Sequence, residues 1–203
     1  MKHAVLSLVL ATWLTGCGGP HTDQPAAVQV GVLIDENETV PYATISEKTS
    51  LVFEQLTCGT ISEHGLCGAT FGMTREELES AFPLPLEVEY FDTEYPGCYY
   101  MRVAGEERGI GFMISNDAFR RLDIYQPTVA TDLGVKVGMT FAETEALYPN
   151  SFRKPNFYSY PIENLIVDID IEHRLLFVQD GSEMISSIRI GLTGAVNMVE
   201  GCL

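Results

Sequence analysis

The sequence predicts an α+β fold of two tandem repeats, each a short helix followed by a three- or four-stranded antiparallel sheet. The first observation behind this prediction is a segment that occurs twice, 66 residues apart, at residues 72–83 and 138–149. Both copies begin with Gly-Met-Thr, and both end with an aromatic residue followed by proline. A fixed period of this kind is the sequence signature of a repeated structural unit.

Each copy carries the signals of a short helix with both ends marked. Thr74 and Thr140 stand where an N-cap hydroxyl accepts a backbone N–H. Glu77 and Glu143 follow three residues later, which is the spacing of a capping box. The proline that closes each copy disfavours helical geometry in the residue before it. We therefore expect the motif residues to serve the fold rather than a functional site.

The strand patterns that follow the helices also recur. Polar turn residues at 115–117 and 180–182 separate the last two strands of each copy. The paired segments are 98–103 with 164–169, 109–113 with 175–178 after a one-residue slip, and 122–124 with 188–190. Each unit is thus predicted to be a helix and at least three strands joined as hairpins.

The N-terminus has the features of an export signal. Residues 1–3 are basic in character, and the apolar run at 4–14 is too short to span a bilayer as a permanent helix. The run ends in Leu14-Thr15-Gly16-Cys17, which resembles the lipobox of bacterial lipoproteins. The resemblance implies cleavage before Cys17, a diacylglycerol on its thiol and, because Gly18 rather than Asp follows, export to the outer membrane.

These patterns divide the chain into five parts. Residues 18–27 contain two prolines and few large apolar side chains, which is typical of a tether. Strand-like patterns at 28–34 and 50–56 have no counterpart in the second unit, and one interpretation is an extra hairpin that caps a sheet edge. The expected parts are a signal peptide at 1–16, a tether at 17–27, N-terminal strands and a disulfide loop at 28–70, a first α/β repeat at 71–130 and a second at 131–203.

The cysteines fit an exported protein. Apart from Cys17 the chain has Cys58, Cys67, Cys98 and Cys202, an even number with three possible pairings. In an oxidising periplasm these residues are expected to form disulfides. We favour Cys58–Cys67 and Cys98–Cys202. No CxxC pair is present and the spacings do not match zinc motifs, so no metal site is predicted.

The charge of the chain excludes one class of partner. The formal net charge is −16 and the isoelectric point is about 4.5. Nucleic-acid backbones are bound by clusters of lysine and arginine. The only basic doublets here are Arg120-Arg121 and Arg153-Lys154. Nucleic-acid binding is therefore not expected, whereas cationic partners are compatible with the charge.

Two acidic segments are candidates for binding a cation. Four carboxylates surround two aromatic residues at 87–94, and Asp168, Asp170 and Glu172 alternate with apolar residues, which predicts three carboxylates on one strand face. Calcium takes several oxygen ligands. Because alternate residues of one strand lie about 7 Å apart, such carboxylates do not converge on one ion without help from a loop. A solvated sheet face is the favoured interpretation.

No catalytic motif is present. The chain has no GxSxG elbow, no HExxH and no P-loop, and no cofactor is predicted. Aromatic residues with acidic neighbours in a loop before a strand suit a protein-binding surface instead. The interaction candidates are Glu87, Glu89, Tyr90, Phe91, Asp92 and Tyr95, echoed in the second unit by Phe157, Tyr158 and Tyr160.

The motif Gly-Met-Thr-x-x-Glu, opening a short helix before a hairpin sheet, resembles two groups of known proteins. It is similar to the SmpA/OmlA-type small outer-membrane lipoproteins, and to β-lactamase inhibitory protein, a tandem of similar α/β units. The resemblance covers residues 72–126 and 138–192. It implies non-enzymatic work, either envelope assembly or inhibition of a periplasmic enzyme. The matching positions are structural, so no functional residue follows from the resemblance.

These observations lead to a ranked set of functional hypotheses. The first is a lipid-anchored cell-envelope protein, outer-membrane and facing the periplasm, that acts as a non-enzymatic protein-interaction module. Its partners would be the membrane, through the lipid anchor, and an envelope protein. The alternative is a periplasmic lipoprotein that binds a small ligand or a divalent cation. An envelope hydrolase ranks third.

Overall fold

The structure is a computed structural model that describes residues 56, 58–89, 97–106 and 109–202. The predicted signal peptide, the tether and the lipidation site Cys17 lie outside the described residues. The strand-like segments at 28–34 and 50–56 also lie outside them, except for Leu56.

The fold is mixed α+β, with most of its ordered elements in strands. The helices are α1 (Arg75–Ala81), α2 (Phe141–Leu147) and α3 (Thr193–Val196). No helix in the described ranges is both long and apolar enough to cross a membrane. The strands are β1 (Thr60–Ser62), β2 (Gly65–Leu66), β3 (Ala69–Thr70), β4 (Leu86–Glu89), β5 (Cys98–Val103), β6 (Ile110–Ser115), β7 (Ala118–Ile124), β8 (Ala130–Thr131), β9 (Phe152–Pro155), β10 (Glu163–Asp168), β11 (His173–Gln179) and β12 (Ile185–Leu192).

The strands form two sheets of different size. The large sheet has eight strands in the order β4-β5-β6-β7-β12-β11-β10-β9, and every neighbouring pair is antiparallel. The small sheet has the order β3-β2-β1-β8, in which β1 and β8 run parallel. Strands β7 and β12 join the two halves of the large sheet, with Asp123 opposite Arg189. Helix α1 precedes the strands of one half and α2 precedes those of the other.

Both predicted capping boxes are confirmed. In α1 the Glu77 N–H donates to Thr74 Oγ1 at 3.3 Å, and the Thr74 N–H donates to Glu77 Oε2 at 2.8 Å. In α2 the same two bonds join Thr140 and Glu143 at 3.2 and 2.9 Å. Each helix has only seven residues, too few for a helix to be stable on its own in water, so the caps and the packing of its apolar side hold it.

The main core lies between one face of the large sheet and a layer made of α1, α2 and the small sheet. Helix α1 contributes Leu78 to this core and α2 contributes Phe141, both fully buried. The ring of Phe112 on β6 lies 4.8 Å from that of Phe82 and 5.5 Å from that of Phe119. Burying one such side chain contributes about 1.5–3 kcal/mol, so each of these buried rings is a sizeable contribution to stability.

The opposite face of the large sheet is covered in part by α3 and the C-terminal tail, residues 197–202. Val196 packs against Ile166 and Leu176, and Cys202 packs against Tyr100 and Met113. Because α3 has four residues and no side-chain cap, these contacts rather than local helix signals hold it in place.

A buried arginine also holds the tail. The Arg121 side chain is 1% exposed; its Nη1 donates to the carbonyl oxygens of Ala195 at 2.8 Å and Met198 at 2.7 Å. Its Nε donates to Asp123 Oδ2 at 3.0 Å, and its Nη2 bonds to the Tyr100 hydroxyl. Burial raises the pKa of Tyr100, so the hydroxyl stays neutral at physiological pH. The guanidinium is thus surrounded by oxygen atoms from two strands, α3 and the tail.

The structure contains both disulfides that were favoured from the sequence. Cys58 and Cys67 have Cα atoms 5.3 Å apart, and their bridge encloses β1 and β2 of the small sheet. Cys98 and Cys202 have Cα atoms 5.2 Å apart, and they join β5 to the tail. The two bridges therefore secure the segment before α1 and the end of the described chain.

The prediction that residues 168–172 form one strand with three carboxylates on one face is wrong. Strand β10 ends at Asp168, and residues 169–172 form the turn into β11. Asp170 Oδ1 accepts the N–H groups of Glu172 and His173, each at 2.7 Å. An aspartate that bonds backbone groups two and three residues on favours a turn, and here this local chemistry outweighs the apolar alternation. The three carboxylates do not share one strand face.

The capping box of α2 leads to a first prediction. Thr140→Ala removes the side-chain acceptor of the Glu143 N–H, so we expect the free energy of unfolding to fall by about 1 kcal/mol. Thr140→Ser keeps the hydroxyl and is expected to stay close to the unsubstituted protein. Urea denaturation followed by circular dichroism measures both, and equal losses for the two variants would contradict the capping role.

The same box gives a dependence on pH. Hydrogen bonds from the Thr140 backbone and hydroxyl lower the pKa of Glu143. A lowered folded-state pKa contributes stability that is present above the pKa of Glu143 in the unfolded chain and is lost as the pH falls through the folded-state value. The difference between unsubstituted protein and Thr140→Ala is therefore expected to shrink on acidification.

Candidate functional site

The predicted interaction residues fall partly within the structure. Glu87 and Glu89 lie on β4, at one edge of the large sheet. Glu89 pairs with Arg102, and Glu87 Oε1 accepts the Gly105 N–H at 3.3 Å. The other predicted residues, Tyr90, Phe91, Asp92 and Tyr95, lie outside the described residues.

The loop between β9 and β10 exposes three aromatic side chains. This loop, residues 156–162, stands 66 positions after residues 90–96 and joins the strands at the other edge of the large sheet. The exposed fractions are 77% for Phe157, 60% for Tyr158 and 87% for Tyr160. Side chains of this size are usually largely buried, so three together on one loop call for a functional explanation.

Hydrogen bonds fix the shape of this loop. The Asn156 N–H donates to the Ile162 carbonyl oxygen at 2.8 Å, and the Ile162 N–H donates to that of Ser159 at 2.7 Å. Asn156 Oδ1 accepts the Tyr158 N–H at 3.0 Å. The rings of Phe157 and Tyr158 meet edge to face at 4.9 Å. The aromatic side chains are thus presented on a closed loop with defined internal contacts.

The C-terminal tail extends the exposed surface. Met198 and Val199 are 40% and 41% exposed, and they line a shallow depression together with Phe157 and Tyr158. The Tyr158 hydroxyl bonds to the Glu200 carboxylate, and this bond raises the pKa of Tyr158. We call the surface formed by Phe157, Tyr158, Tyr160, Met198 and Val199 the aromatic patch.

The composition of the aromatic patch matches that of binding surfaces. Contiguous exposed apolar groups mark interaction sites, and aromatic residues and methionine are enriched in the centres of protein interfaces. Glu200 supplies a polar group next to the patch. The arrangement can bury aromatic rings against a partner, and it contains no nucleophile paired with a base.

The candidate cation sites are not assembled in the described residues. Asp168 Oδ1 accepts Arg174 Nε at 2.7 Å, and Asp170 is engaged by the turn. Within residues 58–89, 97–106 and 109–202, no three His, Cys, Asp or Glu side chains are placed to hold a metal ion. The acidic segment at 87–94 extends into residues that the structure does not describe.

The described residues define a mixed α+β protein with an eight-stranded antiparallel sheet and an exposed aromatic patch at one edge. No family model and no curated protein matches the chain. Among solved structures it is similar to the uncharacterized protein yfeY from Escherichia coli, with 14% identity and a TM-score of 0.44 over 65% of this chain and 99% of that one. It is also similar to an extracellular protein containing a SCP domain from Bacillus anthracis str. Ames, with 11% identity and a TM-score of 0.45 over 60% of this chain and 44% of that one.

Proposed function

We propose that this chain is a lipid-anchored protein of the cell envelope that acts as a non-enzymatic protein-interaction module. The observation that carries the proposal is the aromatic patch. Its rings are large and have few rotatable bonds, so they bury much apolar area on binding at a low cost in conformational entropy. A partner of matching chemistry has an apolar pocket with basic groups at its rim, because this chain has a net charge of −16.

We also propose that the two α/β units are copies of one repeat. The positions of α1 and α2, and of β4 and β9, differ by the same 66 residues as the sequence motif. Two hydrogen bonds of 2.8 Å join each motif to the last strand of its own half. They are Gly72 N–H to Phe119 O and Phe119 N–H to Met73 O in the first, and Gly138 N–H to Ile185 O and Ile185 N–H to Met139 O in the second.

The backbone conformation explains why the motif begins with glycine in both copies. Gly72 has φ of 95° and Gly138 has φ of 91°, in the left-handed region that L side chains rarely adopt. Glycine at both positions lets the chain turn from the small sheet layer into the helix while its N–H pairs with the last strand. A common backbone route of this kind supports a common origin of the two units.

The location in the envelope rests on the N-terminal sequence. The lipobox at residues 14–17 provides for a lipid on Cys17, with the protein facing the periplasm from the outer membrane. The two disulfides are in keeping with an oxidising compartment. Lipid chains contribute about 0.8 kcal/mol per buried methylene, so a diacylglycerol with a further acyl chain would hold the module stably at the membrane.

The patch can be tested by crosslinking in intact envelopes. The tagged full-length chain is compared with Phe157→Ser/Tyr160→Ser, which removes two exposed rings, and the crosslinked partner is identified after purification. Truncating an aromatic hot-spot residue of an interface costs about 2 kcal/mol or more, so we expect the partner yield to fall at least tenfold.

Two controls separate the patch from other causes. Ile171→Ser changes a side chain that is 96% exposed but lies on the loop between β10 and β11, outside the patch, and it should keep the partner. Cys17→Ser removes the anchor, and it should reduce the yield by dispersing the protein. Equal recovery of the partner with and without the two aromatic rings would contradict the proposal.

A second candidate function, the binding of a small ligand, is favoured by one observation. A cavity lies between the small sheet and the second half of the large sheet, on the face that carries the main core. Aliphatic side chains such as Val167, Leu175 and Ile190 line it, whereas the aromatic patch is an exposed surface.

A further inference from the structure

A cavity of about 270 Å³ opens between the small sheet, the end of α2 and strands of the large sheet. Its floor is apolar: Val167, Leu175 and Ile190 line it, and all three are buried. Leu133 and Leu147 also line it, and they are 47% and 40% exposed. The volume is just below the usual range of about 300–1,000 Å³ for ligand sites, so the cavity suits a molecule of few heavy atoms.

Several side chains that line the cavity differ from those at the equivalent positions of the first half. This step rests on the proposed repeat, in which positions 66 residues apart are equivalent. At four of these positions the first half carries an apolar side chain that is either larger or less polar than its counterpart. Leu66, Phe82, Leu84 and Met101 stand where the cavity has Asp132, Tyr148, Asn150 and Val167.

In the first half, Leu66, Phe82 and Met101 are at most 4% exposed and belong to the main core. Their counterparts in the second half are smaller or more polar, and they line the cavity. Because interiors are otherwise closely packed, a cavity with an apolar floor is a candidate binding site.

The charged groups at the cavity have one sign. Glu63, Asp132 and Asp168 contribute to the lining, and no lysine, arginine or histidine among the described residues does so. Asp168 is already paired with Arg174. Glu63 and Asp132 are exposed. Glu63 Oε1 lies 3.4 Å from His64 Nε2, and neither carboxylate has an arginine or lysine partner in the described part of the chain, so both can pair with a positive charge at the mouth.

The Asp132 carboxylate is held in a fixed position. Its Oδ1 accepts the Leu133 N–H at 2.9 Å and the Tyr148 hydroxyl at 3.1 Å. Burial raises the pKa of Tyr148 to about 12, so the phenol stays protonated and its O–H can donate a hydrogen bond to the carboxylate. These two donors use one carboxylate oxygen and leave Oδ2 without a contact in the described residues.

We propose that this cavity binds a small organic cation with an apolar body, such as an alkylammonium. The apolar body lies against Val167, Leu175 and Ile190, and the ammonium group lies at the mouth beside Asp132 and Glu63. None of these residues belongs to the aromatic patch, so the proposal stands or falls independently of the protein partner.

Isothermal titration calorimetry on the whole chain tests the ligand class. The probes are butylammonium, hexylammonium, hexanoate and ammonium chloride. Each methylene that enters the cavity is expected to lower the Kd about threefold to fourfold. Hexylammonium should therefore bind more tightly than butylammonium, and hexanoate and ammonium should give no measurable heat. Equal binding of hexanoate, or no binding of hexylammonium, would overturn the proposal.

Two substitutions fill the cavity from different walls. Val167→Met and Asn150→Leu place the residues of the first half in the second, and each should weaken hexylammonium binding at least tenfold. Asn150 is exposed, so its variant is expected to fold even if the buried change at Val167 does not. Unchanged binding in a folded Asn150→Leu variant would place the ligand elsewhere.

The charge at the mouth is tested separately. Asp132→Asn is expected to weaken hexylammonium binding about threefold to fivefold, since a solvent-exposed ion pair contributes at most about 1 kcal/mol. Glu172→Gln removes an exposed carboxylate outside the cavity and should change nothing. A peptide with one internal lysine serves as the last probe. A lower Kd for the peptide than for hexylammonium would overturn the assignment of a small molecule.

Discussion

Arg121→Ala is expected to lower the free energy of unfolding by about 3 kcal/mol. Removing one partner of a buried ion pair costs about 3–5 kcal/mol, because the other charge stays buried without compensation. Asp123 is fully buried, and Arg189 Nε remains 3.3 Å from its Oδ1, so we expect the lower end of that range. The variant also leaves the carbonyl groups of Ala195 and Met198 without their donor. Guanidinium denaturation followed by fluorescence measures the change.

The neighbouring arginine is the matched control. Arg120 has the same chemistry, but among the described residues its side chain makes one hydrogen bond, from Nε to the Ser115 carbonyl oxygen at 3.3 Å. Arg120→Ala is therefore expected to cost no more than about 1 kcal/mol. Equal losses at the two positions would show that burial of Arg121 does not control stability.

A double substitution separates the ion pair from its packing. Arg121→Met/Asp123→Leu replaces both charges by apolar side chains of similar size, and such replacements are often neutral or stabilising. We expect the double variant to be more stable than Arg121→Ala. Both variants lose the bonds to Ala195 and Met198, so a larger loss in the double variant would mean that the second ion pair of Asp123, with Arg189, stabilises the fold by more than the unpaired carboxylate costs.

Removal of the Cys98–Cys202 disulfide is expected to destabilise the protein by about 4–5 kcal/mol in Cys98→Ala/Cys202→Ala. The bridge joins residues 104 positions apart, and the chain-entropy model gives about 4.7 kcal/mol for a loop of about 100 residues. Both cysteines are replaced together so that no free thiol remains. The same denaturation experiment under non-reducing conditions measures the effect.

The shorter disulfide provides the comparison. Cys58 and Cys67 are 9 positions apart, so Cys58→Ala/Cys67→Ala is expected to cost less, somewhat under 3 kcal/mol by the same model. The order of the two losses is the result to check. A greater loss from the short loop would mean that contacts in the small sheet, rather than loop entropy, set the contribution of the disulfides.

Local signals made the helices and turns predictable. The capping threonine, the glutamate three residues on and the closing proline act within one or two turns of chain, so α1 and α2 lie where the sequence places them. The two-residue turn at Asn116 and Asp117 has positive φ at both residues, which asparagine and aspartate tolerate. The same class of signal corrects the strand expected at 168–172, because Asp170 is itself a turn former.

The parts that local patterns missed depend on distant residues. In the sequence Arg121 is recognisable only as half of a basic doublet. Arg121 and Asp123 are two positions apart on one strand, so their side chains lie on the same face of the sheet. The burial of Arg121 follows from α3 and the tail, which lie more than 70 positions away in the sequence. The sequence predicts only a disulfide loop where the small sheet lies, because the strands there have two or three residues and β1 pairs with β8, some 70 positions later in the chain.

In the candidate site, too, the local features could be predicted from the sequence and the contacts between distant residues could not. The sequence singled out exposed aromatics with acidic neighbours in the first unit, and the structure describes such a surface in the second, at Phe157, Tyr158 and Tyr160. The share of Met198 and Val199 in that surface was not predictable, because the tail reaches the loop only through the folded sheet. The cavity beside Tyr148 likewise requires three separate elements to meet.

The pairing of β7 with β12 gives the tandem arrangement an electrostatic advantage over a dimer of single units. In the proposed repeat Arg189 is the equivalent of Asp123, because the two residues are 66 positions apart. They lie opposite each other where β7 pairs with β12, at the centre of the large sheet. In a dimer of identical chains an isologous contact brings the same residue to both sides of the twofold axis. Two aspartates would then repel each other in a buried site. Covalent linkage of the units frees the two sides to differ, and here an arginine neutralises the carboxylate across the axis.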